Sequence, residues 1–339
     1  MRYTRKEMKR KKLAFLCLFF LLPLVFAGCT GQTTSDVSFF AMDTYFTVSA
    51  VCDETVLSGA ERIALELDDL LSVTKTSSPI STLNNAGLIS HTEIASLVSR
   101  CIELSALTDG NFDITVYPAV KAWGFTTDTS RVPTDAEIDT LQSLIDYKKI
   151  AVDGDAIRLE NGMQIDLGAV AKGYCSDKIV RYLREQNVES AILSLGGNVY
   201  ALGKKSDGKK WKVAINDPVG NGSVGILEAE DLAVVTSGNY ERYFEKDGVR
   251  YGHILDPKTA RPAESDLLSV SVIGKDGTTC DALSTALFVM GEEKACAFLR
   301  NMDVEAVLVT QDGRVLLTPG LDGFTAQGPY VQKVQVISW

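Results

Sequence analysis

Histidine is almost missing from this chain: 339 residues contain two, His91 and His253. Chemistry that needs a side chain titrating near neutral pH without help therefore falls to one of two positions. No C-x-x-C pair occurs either. Beyond the N-terminal segment the cysteines are Cys52, Cys101, Cys175, Cys280 and Cys296, odd in number and widely spaced. That argues against a disulfide framework and a thiolate zinc site, and predicts buried thiols acting as small hydrophobes. No G-x-G-x-x-G joins a strand to a helix, which weighs against a dinucleotide-binding βαβ unit. Repeats and low-complexity stretches are also lacking, and the single long apolar run is confined to the N-terminus.

That run is informative. Arg2, Arg5, Lys6, Lys9, Arg10, Lys11 and Lys12 precede an apolar stretch from Leu13 to Phe26, interrupted by Pro23. It is short for a membrane span and has the basic head of an export signal. It ends Phe26-Ala27-Gly28-Cys29, which resembles a lipoprotein lipobox with Phe26 at a position more often aliphatic; an ordinary signal peptide with a chance cysteine is the alternative. The expected organisation is a leader over 1–28, a polar tether over 29–36 starting at Cys29, and one domain over 37–339. The leader holds seven Lys/Arg and one Glu, so 27 basic and 43 acidic residues remain, a net charge near −16. So acidic a chain is a poor partner for nucleic acid, or for an anionic bilayer beyond its anchor.

Residues 37–51 alternate apolar and polar as a strand, with Met42-Asp43-Thr44 in the middle. Helical spacing covers Glu54–Leu71, and capping boxes start further helices after Ser90 and at Thr134. Short strands are expected at 148–152 and 156–160, then a helix from near Ala169 to Gln186. The remainder is strand-rich, closing with helices at 279–290 and 292–301 and strands near 304–310 and 314–318. Mixing without strict βαβ alternation favours an α+β fold.

Five constellations can carry chemistry. His253 lies in Ser237–Pro262, a segment dense in Gly, Tyr and Phe that also reads as a decorated hairpin with a solvent-facing histidine. Asp281, Ser284 and Thr285, at i, i+3 and i+4, share a helix face and offer hard oxygen donors for Mg²⁺ or Ca²⁺. The bland counterpart is an aspartate interacting with the helix dipole and a threonine bonded to the preceding turn. Asp166-Leu-Gly168-Ala169-Val-Ala171-Lys172-Gly173 reads as strand, turn and helix, suited to a phosphate on N–H groups and Lys172, or simply as a capped helix. Asn111-Phe112-Asp113 sets a carboxylate beside aromatics, fit for a flat ligand or an ordinary turn. Ser194-Leu-Gly-Gly-Asn198 is a hairpin turn or a close backbone approach. His91, at a helix start, reads as a surface residue.

In order along the chain, M-D-T (42–44), N-F-D-I-T-V (111–116), W-G-F (123–125), I-D-L-G-A-V-A-K-G-Y (165–174), S-L-G-G-N (194–198), S-G-N-Y-E-R (237–242), H-I-L-D-P (253–257) and D-A-L-S-T-A-L (281–287) resemble the ApbE family of FAD:protein FMN transferases. The resemblance implies one large domain, T-fold-like, with mixed sheets flanked by helices. It implies Mg²⁺-dependent transfer of FMN from FAD to a Thr or Ser hydroxyl of an exported or membrane redox protein, releasing AMP. Met42, Asn111, Phe112, Asp113, Asp166, Lys172, His253 and Ile254 would line the FAD site. Asp281, Thr285, the Ala169 carbonyl and Ser284 would hold the metal, with His253 as base and Asp281 as its rival. Many members carry aspartate at the Ser284 position and an aromatic residue where Thr74 stands here. The alternatives are FAD hydrolysis to FMN and AMP, or flavin binding alone. The implied location is the outer face of a cytoplasmic membrane, anchored by lipid on Cys29.

Overall fold

The computed structural model describes residues 34–127 and 129–338, and those from Ser35 onward form one compact unit. The leader and Cys29 lie outside the described residues. A nine-stranded sheet forms the frame: β1 (Thr34–Ala41), β2 (Thr44–Val51), β3 (Ala191–Leu195), β4 (Asn198–Leu202), β5 (Leu232–Ser237), β6 (Leu267–Gly274), β7 (Glu305–Thr310), β8 (Val315–Leu317) and β9 (Val334–Val336). Spatial order follows chain order from β1 to β9. Pairs from β2 to β8 are antiparallel, with Phe46 opposite Leu195 and Ser237 opposite Val270, and β9 joins β8 in parallel. Everything else is inserted between neighbours of this meander.

The middle of the sheet is buried on both faces, which is why β4 to β8 read as near-continuous apolar runs. On β6 and β7, Val270, Val272, Ala306 and Leu308 join the main core, whereas Ile273, Val307 and Val309 join a second cluster on the other face. The main core is covered by helices α1 (Glu54–Leu71), α6 (Gly168–Glu185) and α7 (Gly277–Leu299). The second face is closed by a three-stranded sheet of Trp211–Asn216, Ser223–Ala229 and Phe324–Ala326. The insertion between β2 and β3 carries α2 (Pro79–Ala86), α3 (Thr92–Leu107), α4 (Tyr117–Trp123) and α5 (Asp135–Gln142). An α+β domain is the result, as the strand-and-helix order predicts.

Several local expectations change. Residues 37–51 form a hairpin, not one strand: Met42 and Asp43 take φ of 49° and 60° as a two-residue turn. Alternation survives such a turn, so periodicity alone does not reveal it. The cap of α3 is His91, whose ring accepts from Ile94 N–H at 3.4 Å, because Ser90 is held in a strand opposite Ala156. The strand expected at 148–152 is a 3₁₀ turn, Tyr147–Lys149, followed by Ala151–Asp153. Helices α2 and α4, short and entered through prolines, carry too little periodicity to announce themselves. The break expected between the two C-terminal helices is present: within Gly277–Leu299, Gly291 is non-helical (φ 75°, ψ 175°) and parts one helix from the next. The five cysteines among the described residues are free; Cys101, Cys175 and Cys280 are buried, Cys52 and Cys296 half-buried.

Candidate active site

A cleft of about 500 Å³ opens where the insertions meet. Its walls come from the β1–β2 turn, the stretch after α1, residues 111–116, the start of α6, the end of β5 with Glu241 and Arg242, residues 253–257, and α7. Met42, Asn111, Phe112, Asp113, Asp166, Lys172, His253 and Ile254 all line it, as do Ala169, Asp281 and Thr285. Ser284 does not. It is fully buried, with Oγ 2.7 Å from Ser237 Oγ and donating to the Asp281 carbonyl at 2.9 Å. Ser237 Oγ also reaches Thr285 Oγ1 at 3.2 Å, tying the end of β5 to α7 behind the cleft.

Asp281 is carried by the second turn of α7, a helix whose start is set by Asp276 accepting from Thr279 N–H at 2.7 Å. Its carboxylate is 4 % exposed and accepts from Gly173 N–H on α6 at 2.8 Å. The helices meet this closely because Gly173 lacks a side chain: a Cβ there would stand 2.2 Å from the Gly277 carbonyl oxygen. Burial raises the Asp281 pKa, while Lys172 and the Gly173 N–H hold it down. Asn198 also pulls it down, yet neither amide atom of this buried side chain makes a hydrogen bond of ordinary length. Within an α-helix the Gly173 N–H would point at the Ala169 carbonyl, so its reach to Asp281 draws donor capacity from that oxygen. One carboxylate, one hydroxyl and one carbonyl on one cleft wall form a hard oxygen set, and an orphaned buried amide stands beside them. The residues fit Mg²⁺ or Ca²⁺ and do not fit zinc.

Asp166 precedes α6. Its backbone is fixed by the Asn84 side chain, which donates to the Ile165 carbonyl at 2.8 Å and accepts from Ile165 N–H at 2.7 Å. Asn84 thus imitates a neighbouring strand. Asp166 Oδ1 accepts from Gly168 N–H at 2.8 Å, against burial that raises its pKa. The first N–H of α6 is therefore already engaged and is not free for phosphate. Asp113 is likewise committed: Oδ1 accepts from Thr115 N–H at 2.8 Å and Thr115 Oγ1 at 2.7 Å, and Oδ2 from Tyr147 N–H at 3.0 Å. It shapes the 111–116 wall.

His253 follows the hairpin of Tyr243–Lys246 and Val249–Gly252, stacked on Trp123 through Tyr251 and Phe244. Its backbone N–H and its Nδ1 both approach the Arg242 carbonyl at 3.1 Å. A carbonyl only accepts, so Nδ1 carries the proton and Nε2 keeps its lone pair. Desolvation, then the nearby Arg242 and Lys172 charges, push the His253 pKa down to about 4. At neutral pH it is an uncharged base. Thr74, Phe125, Glu241 and Arg242 also line the cleft. Spacing gave no role to Glu241 and Arg242; their signal lies in S-G-N-Y-E-R, two charges directly before the histidine hairpin.

The fold is that of solved flavin transferases. The ApbE protein of Thermotoga maritima superposes with a TM-score of 0.80 at 32% identity, covering 84% of this chain and 96% of that one. The apo flavinyl transferase ApbE of Pseudomonas stutzeri gives 0.76 at 31% identity, covering 87% and 94%. In sequence, the FAD:protein FMN transferase of Vibrio cholerae is 34% identical over 299 residues, 85% of this chain and 88% of its own length. The ApbE family matches residues 42–308, and the chain belongs to it.

Proposed function

We propose that this protein transfers FMN from FAD to a Thr or Ser hydroxyl of an acceptor protein, forming a phosphoester and releasing AMP. The observation that carries the proposal is the convergence, in one cleft, of a hard-oxygen corner, Lys172, and a neutral histidine with Nε2 unprotonated. The relatives' names supply the donor and the protein acceptor.

Asp281, Thr285 and the Ala169 carbonyl would hold Mg²⁺, which when bound neutralises charge developing on the diphosphate as the P–O–P bond breaks. Lys172 places a point charge on the same group. Met42, Phe112 and Ile254 supply apolar wall to the flavin end, and Asp166 offers polar contacts beside them. His253 Nε2 takes the proton as the acceptor hydroxyl attacks the FMN phosphorus, and AMP departs with the bridging oxygen. Asp281 is the poorer base, because its carboxylate is buried, bonded to Gly173 N–H and needed at the cation.

Incubating the mature protein with FAD, Mg²⁺ and a competent acceptor, then weighing the acceptor, tests this. An added FMN mass supports transfer. Free FMN and AMP without an adduct would replace transfer by hydrolysis, and intact FAD would leave binding alone. The basic head, apolar run and Phe26–Cys29 sequence support placing the site outside the cytoplasmic membrane on a Cys29 lipid anchor.

A further inference from the structure

Glu241 is a second carboxylate in the diphosphate end of the cleft, and nothing in the transfer chemistry uses it. It lines the same space as Asp281, Lys172 and His253. Its Oε1 lies 3.7 Å from where a Cβ on Gly197 would stand, just beyond Gly196 of the cleft wall. Glu241 and Asp281 feel one another: Glu241 raises the Asp281 pKa, and Lys172 lowers both. Among the described residues neither Glu241 nor Lys172 belongs to an ion pair within 4.0 Å, and the side chain that acts on Glu241 by hydrogen bonding is the neutral Tyr240 hydroxyl.

We propose that Glu241 makes FAD binding conditional on the divalent cation, repelling the diphosphate from a metal-free cleft and attracting the metal that offsets both. Six carboxylates line the cleft, Asp281 and Glu241 at this corner with Asp43, Asp68, Asp113 and Asp166 around it, against the two cations Lys172 and Arg242, so negative charge prevails before a ligand arrives. A doubly negative diphosphate then meets two carboxylates, and a bound cation reverses the sign of that encounter. Binding of metal and FAD is thereby coupled, and the coupling is reciprocal. The gain is protection: FAD is not held in a site that cannot process it. This inference rests on the metal-dependent reading above.

The test is equilibrium binding on the mature protein at pH 8, following flavin fluorescence with and without Mg²⁺, and Mg²⁺ alone by calorimetry. Glu241→Gln is close to isosteric and removes only the charge. It should tighten metal-free FAD binding roughly three- to tenfold and weaken Mg²⁺ binding by a similar factor. Structural damage would loosen both, so the opposed signs identify a charge effect. Metal-free FAD affinity that is unchanged or weaker in Glu241→Gln, while Mg²⁺ still strengthens wild-type binding, overturns the role of Glu241 alone. Wild-type FAD affinity indifferent to Mg²⁺ overturns it together with the metal reading.

Discussion

At the scale of the residue, His253 shows how a backbone contact sets a side chain's chemistry. Its pKa of about 4 lies below the ordinary 6.5, so between those values an unfolded chain binds a proton that the folded one refuses. Stability attributable to His253 is complete above pH 6.5 and is lost as pH falls toward 4. Asp177, pushed up to about 6 by burial, works in the opposite direction and is common to any His253 variant. Melting temperatures of wild type and His253→Gln from pH 7.5 to 4.5 should therefore converge on acidification, the wild type falling faster. Parallel curves would mean the imidazole titrates normally. Asp281→Asn keeps the shape and removes the charge. It should slow transfer by about a hundredfold or more with the melting temperature little changed. Activity within tenfold of wild type would remove Asp281 from the cation site. Thr74 is exposed and lines the cleft. Thr74→Tyr should tighten FAD binding about threefold or more through stacking, read by fluorescence quenching.

At the scale of the element, the β1–β2 turn is the feature that alternation could not reveal. Two non-glycine residues, Met42 and Asp43, hold left-handed conformations where Asn-Gly is the relaxed choice. The strained turn sets Met42 into the cleft wall. Replacing both, Met42→Asn with Asp43→Gly, should raise stability by about 0.5–1 kcal/mol in urea unfolding and weaken FAD binding. Unaltered FAD affinity would show that the strain serves only the hairpin. Elements with strong local chemistry were readable: Thr134 and Glu137 form the capping box that their spacing predicts. Those whose ends are decided by distant partners were not. Ser90 is spent on a strand opposite Ala156, so the cap passes to His91.

At the scale of the whole molecule, the site exists only because three insertions in a sequential meander close over one corner. Met42 precedes the first of them and Thr285 lies in the last. Ordered motifs made most of this corner legible, since each stretch brings its own residues to the cleft wall. What the sequence concealed is which polar groups are consumed by the fold. Asp113 and Ser284 look like ligands by type and spacing, yet their oxygens are engaged by Thr115 and Tyr147, and by Ser237. Glu241 looks like surface and faces the cleft. A site drawn from both ends of the chain cannot form in part, so ligand binding should stabilise the molecule as one unit. FAD with Mg²⁺ at about a hundred times Kd adds about 2.7 kcal/mol, a rise on the order of 5 °C in a single thermal transition. Calorimetry should show that whole transition moving with both ligands present, and little movement in Asp281→Asn. A split endotherm, with one peak shifting and the other fixed, would mean that the cleft belongs to a substructure unfolding independently of the sheet.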